Sequence, residues 1–254
     1  VKKRQSTGGR AIVKGLESQG VEVIFGYPGG ANLPFYDELA RSSIRHILAR
    51  HEQGAAHMAD AYARATGKVG VCTATSGPGA TNLVTGIATA YMDSSAVVAI
   101  TGQVSRHLIG NDAFQEVDTT GITIPITKHN YLVQDGDELS KIVAEAFYLA
   151  GSARPGPVLI DVPKDVFLNQ CEAGEAEPPH LEGYRPTFKG HPGQIKRAAA
   201  VIKTAERPLI IVGGGIRSEA AYTALTTLAE RHEIPVVSTL MGKGAFPNSH
   251  PLYL

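Results

Sequence analysis

Three times before Met92 this chain runs an apolar, strand-like stretch into a tight corner and then into a helical pattern. Val21 to Gly26 leads into Tyr27-Pro28-Gly29-Gly30, Ile44 to Ala49 into Arg50-His51-Glu52-Gln53-Gly54, and Val69 to Thr75 into Ser76-Gly77-Pro78-Gly79. Strands that alternate with helices in this way call for a parallel sheet covered on both faces. Ligands of such sheets bind where the strands' C-terminal ends gather on one edge. Glycines at that edge let backbone approach a ligand, although a single glycine after a strand also simply closes a turn. Glu52, the one carboxylate in these corners, has two readings. It is a favourable charge at a helix N-terminus, or it is a reactive group at the ligand edge.

The alternation continues along the chain. The pattern predicts helix 10–19, strand 21–26, helix 32–42, strand 45–49, helix 53–66, strand 69–75, helix 80–92, strand 96–102, helix 138–151 and strand 157–162. The stretch Gln103 to Asp137 reads as loop and short helix, long enough to be functional. From Leu168 to Pro192 the composition shifts to Glu, Pro and Gly, with Pro178-Pro179 and Pro186 opposing regular structure. The expected organisation is a first domain over 1–167, a linker over 168–191 and the start of a second α/β domain over 192–254. In the second part the pattern predicts helix 192–205, strand 208–212, helix 218–231 and strand 235–240. Ile210 to Ser218 there forms a strand–glycine–helix corner of the kind that receives phosphates. Ser218 stands where a dinucleotide fingerprint has its third glycine, and no ribose-binding acid ends the next strand, so NAD is disfavoured.

Composition excludes several function classes. The chain has 254 residues, 43% of them hydrophobic, enough for a substantial core. Its 24 Lys and Arg balance 24 Asp and Glu, so no global field favours nucleic acid. Cys72 and Cys171 form neither a disulfide framework nor a metal-ligand cluster, and read as a buried small hydrophobe and an incidental linker thiol. His51 and His57 lack metal-ligand spacing on one helical face and read as structural. No apolar run is long enough to span a bilayer. The opening Val1 and the basic polar residues after it do not read as a signal peptide.

Gly26-Tyr27-Pro28-Gly29-Gly30, Arg50-His51-Glu52-Gln53, Thr75 to Asn82, Asp112-Ala113-Phe114-Gln115-Glu116 and Arg154 to Asp165 occur in one order. In that order they resemble the pyrimidine-binding domain of thiamine-diphosphate enzymes, specifically the catalytic large subunits of acetohydroxyacid (acetolactate) synthases. The resemblance runs from about Gly9 to Phe246. It implies an α/β fold with a parallel-sheet, pyrimidine-type thiamine-diphosphate domain, followed by the start of a central FAD-binding-type domain. It implies that Glu52 is catalytic, relaying a proton to the cofactor's pyrimidine ring. Tyr27, Pro28, Gly29, Pro78, Asn82 and Gln115 match positions that line this cofactor. Singly, the glycines and prolines read as turn residues and Asn82 as a helix cap. Gly30, Phe114 and Lys164 match the substrate channel, where Lys164 would attract 2-oxo-acid anions; Lys164 also reads as a solvated surface lysine. Arg154, Gly213, Gly214, Gly215, Thr239 and Leu240 match contacts to a structural FAD.

The family's Mg²⁺ and diphosphate signature, Gly-Asp-Gly followed by Asn, is absent. No metal ligand is therefore expected here, and the chain reads as an N-terminal part of a longer synthase, inactive alone. The implied reaction decarboxylates pyruvate and condenses the two-carbon unit with pyruvate or 2-oxobutyrate, on the route to branched-chain amino acids. Implied partners are a second copy, as dimer or tetramer, and a regulatory small subunit, with neither nucleic acid nor membrane. Helix 80–92 offers Ala80, Leu83, Val84, Ile87, Ala88 and Tyr91 either to such a partner or to its own sheet. The expected location is the cytoplasm in a bacterium, or a plastid or mitochondrion in a eukaryote. Two alternatives stand: another thiamine-diphosphate and FAD enzyme such as pyruvate oxidase, and a noncatalytic assembly module. Ser105 departs from the Pro of many relatives, which puts inhibitor sensitivity in doubt but not the chemistry.

Overall fold

The apolar runs become strands because their side chains alternate between two buried helical layers. Ile24, Val71, Val98 and Ile160 point to one layer, and Cys72, Ala99 and Leu159 to the other. In the computed structural model, which describes residues 4–174 and 178–254, the chain forms two units, Val1–Pro186 and Thr187–Leu254.

The first unit opens with β1 (Arg4–Thr7) and α1 (Gly8–Ser18), followed by β2 (Val23–Gly26), α2 (Leu33–Leu39), β3 (Arg45–Leu48) and α3 (Glu52–Thr66). Next come β4 (Gly70–Ala74), α4 (Pro78–Met92), β5 (Val97–Gln103), α5 (Thr119–Thr123) and β6 (His129–Leu132). It ends with α6 (Leu139–Gly151), β7 (Val158–Pro163), α7 (Lys164–Leu168) and β8 (Gln170–Ala173). Six strands form one wholly parallel sheet in the order β3-β2-β4-β5-β7-β6. After β2 the chain adds β3 on one side and then crosses to place β4 on the other. This reversal opens a crevice at the C-terminal ends of β2 and β4.

One layer is built on Ile12, Leu16, Phe35, Leu139, Val143 and Phe167. The other, from α3 and α4, is built on small residues, Ala55, Ala56 and Ala59 against Leu83, Ile87 and Ala90. A Cβ on Gly86 would lie 2.4 Å from the Ala56 methyl, which shows how closely these two helices pack. Ala80, Leu83 and Ile87 are thus spent on the protein's own core, and of the face read from helix 80–92 only Tyr91 is exposed. Arg64 closes the layer, holding Asp60 of its own helix and Asp93 at the end of α4, each at 2.7 Å. His51 caps α3, its Nδ1 accepting the Gln53 N–H at 3.1 Å.

The structure differs from the sequence reading in two places. The stretch read as loop and short helix contains the short helix α5 but also the edge strand β6, whose sequence His-Asn-Tyr-Leu carries no clear apolar alternation. The stretch read as linker begins with β8, which pairs antiparallel with β1, and Cys171 is buried there with its thiol toward the Ser6 carbonyl. Residues up to Pro186 belong to the first unit, while 175–177 lie outside the described residues. Cys72 is the expected buried hydrophobe, and burial pushes its thiol up to about 12.

The second unit comprises α8 (Pro192–Thr204), β9 (Ile210–Val212), α9 (Glu219–His232) and β10 (Val236–Ser238). Its two strands are parallel, and Val212, Leu225, Ala229, Val236 and Phe246 form a small core. No helix among the described residues is long and apolar enough to cross a membrane.

One buried carboxyl stands out in the main sheet. Asp161 of β7 is 1% exposed, with Thr101 Oγ1 at 2.6 Å from Oδ1 and Gln103 Nε2 donating to Oδ2 at 3.0 Å. Burial pushes it up to about 7; the two hydrogen bonds act against this, and the nearby Asp118 charge adds to it. Folded Asp161 therefore keeps its proton to a higher pH than the unfolded chain does. Its contribution to stability is full below about pH 4 and is lost as pH rises toward 7. Urea titrations between pH 4 and 8 should show that Asp161→Asn flattens this decline relative to the parent chain; equal slopes would contradict it.

Candidate functional site

At the β2–β4 crevice three corners converge. The first follows β2. Tyr27 donates its N–H to the Thr73 carbonyl at 3.3 Å and holds its ring out, 41% exposed. Pro28 and Gly29 are half-buried beside it. The Gly29 N–H donates to Asn32 Oδ1 at 2.8 Å, and the Ala31 N–H to Thr75 Oγ1 at 3.1 Å. A Cβ on Gly29 would strike the Thr75 side chain at 2.5 Å, so the β2 and β4 corners approach closely only because residue 29 is glycine. Asn32 is almost wholly buried, and its Nδ2 has no protein partner.

The second corner follows β3 and starts α3 with Glu52, which is half-buried. The third follows β4, where Gly77 takes φ +57° and Pro78 occupies the first turn of α4. Proline suits that place because its missing N–H would have had no helical partner. Asn82 lies one turn on and is not the helix cap. Its Nδ2 donates to Glu52 Oε2 at 2.9 Å. Glu52 Oε1 faces Gly79, where a Cβ would stand 3.4 Å from it, and no described residue donates to that oxygen. The carboxyl is therefore held by one oxygen and presents the other.

A fourth segment completes the edge. The loop after β5 carries Phe114, 87% exposed, and Gln115 at φ +58°. The Gln115 carbonyl sits where a Cβ on Gly77 would be, 2.5 Å away, so the loop rests directly on the start of α4. Glu116 ties the loop to itself by accepting the N–H groups of Gly110 and Ala113. Ser105, before this loop, has φ −57° and ψ 145°. Its neighbour Arg106 holds Asp165 at 2.7 Å and the Gln134 carbonyl at 2.7 Å.

The structure thus brings together Tyr27, Pro28, Gly29, Glu52, Pro78, Asn82 and Gln115. Gly30 and Lys164 are exposed on the same sheet edge, Gly30 after β2 and Lys164 as the first residue of α7. Arg154 is elsewhere: it precedes β7 and donates to Ser94 Oγ at 2.6 Å, beyond the C-terminal end of α4 and thus at the opposite edge. Gly213, Gly214 and Gly215 follow β9, and Thr239 and Leu240 follow β10, so these five share the strand-end edge of the second unit. There Thr239 Oγ1 accepts the Gly242 N–H at 3.2 Å, and Leu240 is 87% exposed. Sequence reasoning passed over Asn32 and Thr75, which fix the first corner. Their signal was a polar side chain three residues after Gly29 and another at the end of β4. Among the described residues no group of three or more His, Cys, Asp or Glu could hold a metal ion.

Two family descriptions match stretches of the chain. Residues 6–122 match the thiamine pyrophosphate enzyme N-terminal TPP binding domain, and residues 195–254 the central domain of the same enzymes. The chain is 58% identical to an acetolactate synthase of Arthrospira platensis over 99% of its own length and 44% of that protein's. It is 57% identical to the acetolactate synthase large subunit IlvB1 of Mycobacterium tuberculosis, over 97% of this chain and 40% of that one. With the acetolactate synthase large subunit of Corynebacterium glutamicum it shares 52% identity, over 98% and 40%. The chain spans about two fifths of the length of the curated relatives it matches.

The packing of the first corner generates a direct test. Gly29→Ala should force Thr75 aside and cost about 1–3 kcal/mol of stability, the usual range for overpacking, read as a lower urea midpoint. An unchanged midpoint would show that the two corners are not in contact.

Proposed function

We propose that this chain, which belongs to the thiamine pyrophosphate enzymes, supplies the pyrimidine side of the active site of an acetolactate synthase. The observation that carries this reading is the Glu52 carboxyl at the switch-point edge, held by Asn82 through one oxygen and open at the other. The residues fit the cofactor. Glycine at 29 and 79 lets the corners close around Thr75, and Glu52 Oε1, which takes no hydrogen bond from a described residue, is left for a hydrogen-bonding group of the cofactor. Thiamine diphosphate, when bound, supplies the electron sink for decarboxylating pyruvate and passing the two-carbon remainder to a second 2-oxo acid, pyruvate or 2-oxobutyrate.

The chain's own residues do the rest. Glu52 holds or releases a proton at Oε1, and Asn82 keeps the carboxyl aimed so that this oxygen is the one offered. General acid–base groups of this kind contribute about 10²–10⁴-fold. Tyr27, Pro28, Gly29, Pro78 and Gln115 wall the ring and exclude water, and Gly30, Phe114 and Lys164 line the approach of the anionic substrate. FAD in a structural role would be held at the strand ends of the second unit by Gly213, Gly214, Gly215, Thr239 and Leu240. Mg²⁺ and the diphosphate would be held by residues beyond those described here. The reading carries with it a cytoplasmic homo-oligomer and a regulatory subunit; the words large subunit in two of the relatives' names support a smaller partner.

The test inserts this chain in place of the matching segment of the Arthrospira platensis synthase and measures acetolactate formation. The chimera should be active, and Glu52→Gln, nearly isosteric, should lower turnover at least ~10²-fold while leaving the fold unchanged by circular dichroism. Near-parental turnover in that variant would remove Glu52 from the mechanism.

A further inference from the structure

Asp161 is buried inside the sheet, away from Glu52, and the proposed chemistry does not use it. Its hydrogen bonds nevertheless lead to the site. Gln103, at the end of β5, is 4% exposed and uses its whole amide. Oε1 accepts the Val104 N–H at 2.9 Å, while Nε2 donates to Asp161 Oδ2 at 3.0 Å and to the Val117 carbonyl at 2.9 Å. Val117 ends the loop that carries Phe114 and Gln115. Among the described residues two side chains thus tie that loop to the body of the unit, Arg106 at its start, on Asp165 and the Gln134 carbonyl, and Gln103 at its end, on the Val117 carbonyl. Between them the loop is bound mainly to itself through Glu116, and its Gln115 carbonyl rests on Gly77, two residues before Gly79 and the open oxygen of Glu52.

We infer that Asp161 is a positioning residue: by orienting the Gln103 amide it fixes the seat of segment 110–118 and so places Gln115 against the start of α4. The amide can turn either way. Flipped, it would set Oε1 against two acceptors, Asp161 Oδ2 and the Val117 carbonyl, and its NH₂ against the Val104 N–H; the acceptor at 161 is the one side chain among these three and adds its share to the lock. The tie holds in both protonation states. Ionised, Asp161 accepts from the Thr101 hydroxyl at Oδ1, 2.6 Å away; protonated, it can carry its proton on Oδ1 and reverse that bond, and in either state Oδ2 is left to Gln103. Asparagine can make the same two bonds, giving its NH₂ to Thr101 and its carbonyl to Gln103. Leucine can make neither. The catalytic consequence rests on the function proposed above, whereas the tie itself does not.

Hydrogen exchange on this chain tests the tie without any activity. Asp161→Leu and Gln103→Leu should each raise amide exchange across 110–118 by about tenfold or more, the scale of one lost hydrogen bond, while β4 and β5 stay protected. Asp161→Asn should keep exchange across 110–118 within about twofold of the parent chain, a rescue that mere filling of the core would not produce. Parental exchange across the loop in the folded leucine variants would overturn the inference, as would an asparagine variant as loose as the leucine one. If Asp161→Leu does not fold, Gln103→Leu decides on the same readout. In the chimera the leucine variants should lower turnover and the asparagine variant should not. A chimera that is inactive with every residue at 161, alongside the expected exchange pattern, would count against the proposed function and for the tie.

Discussion

A parallel strand cannot be followed by its neighbour through a tight turn, because the chain must first travel back the length of the sheet. Each return here is made by a segment that crosses a face, and both faces are thereby buried. The same geometry collects every strand's C-terminal end on one edge, and it alone makes three corners from distant parts of the sequence neighbours. Because β2 lies between β3 and β4, the chain leaves β2 toward one side and returns to the other. Glu52 and Gly29 face a common crevice for that topological reason, with no long-range contact needed to find one another.

The small-residue layer between α3 and α4 serves the same end. Alanine and glycine at Ala55, Ala56, Ala59 and Gly86 let two helices approach closely while each begins at the edge where its first residue is needed. Asn82 can reach Glu52 only because the helices that carry them are nearly in backbone contact. Larger residues in that layer would leave the sheet intact and pull the carboxyl away from its partner.

Much of this was legible in the sequence where apolar periodicity and glycine placement coincide. The corners at Gly29, Glu52 and Gly77 announce themselves because strand, turn and helix signals follow within a few residues. The strands β1, β8 and β6 did not, since Arg-Gln-Ser-Thr or His-Asn-Tyr-Leu has no apolar rhythm and is held in place by its neighbours. Asp161 lies within the Arg154 to Asp165 motif, yet nothing local says that its carboxyl is buried or that it meets Gln103, 58 residues away in sequence. Arg154 shows the opposite case: a residue singled out by resemblance whose hydrogen bonds lie at the far edge of its own unit, on Ser94. Local signals identify corners; buried polar links between strands are visible only once the register is known.

The backbone at Ser105 carries a consequence of a different kind. Its φ of −57° lies within the narrow range proline imposes, and its N–H meets no acceptor among the described residues. The backbone of residue 105 itself therefore accepts either serine or proline, and the choice between them is left to what the side chain meets. Selection can change the chemistry of that one position without disturbing its backbone, which makes it a place where related chains are free to diverge.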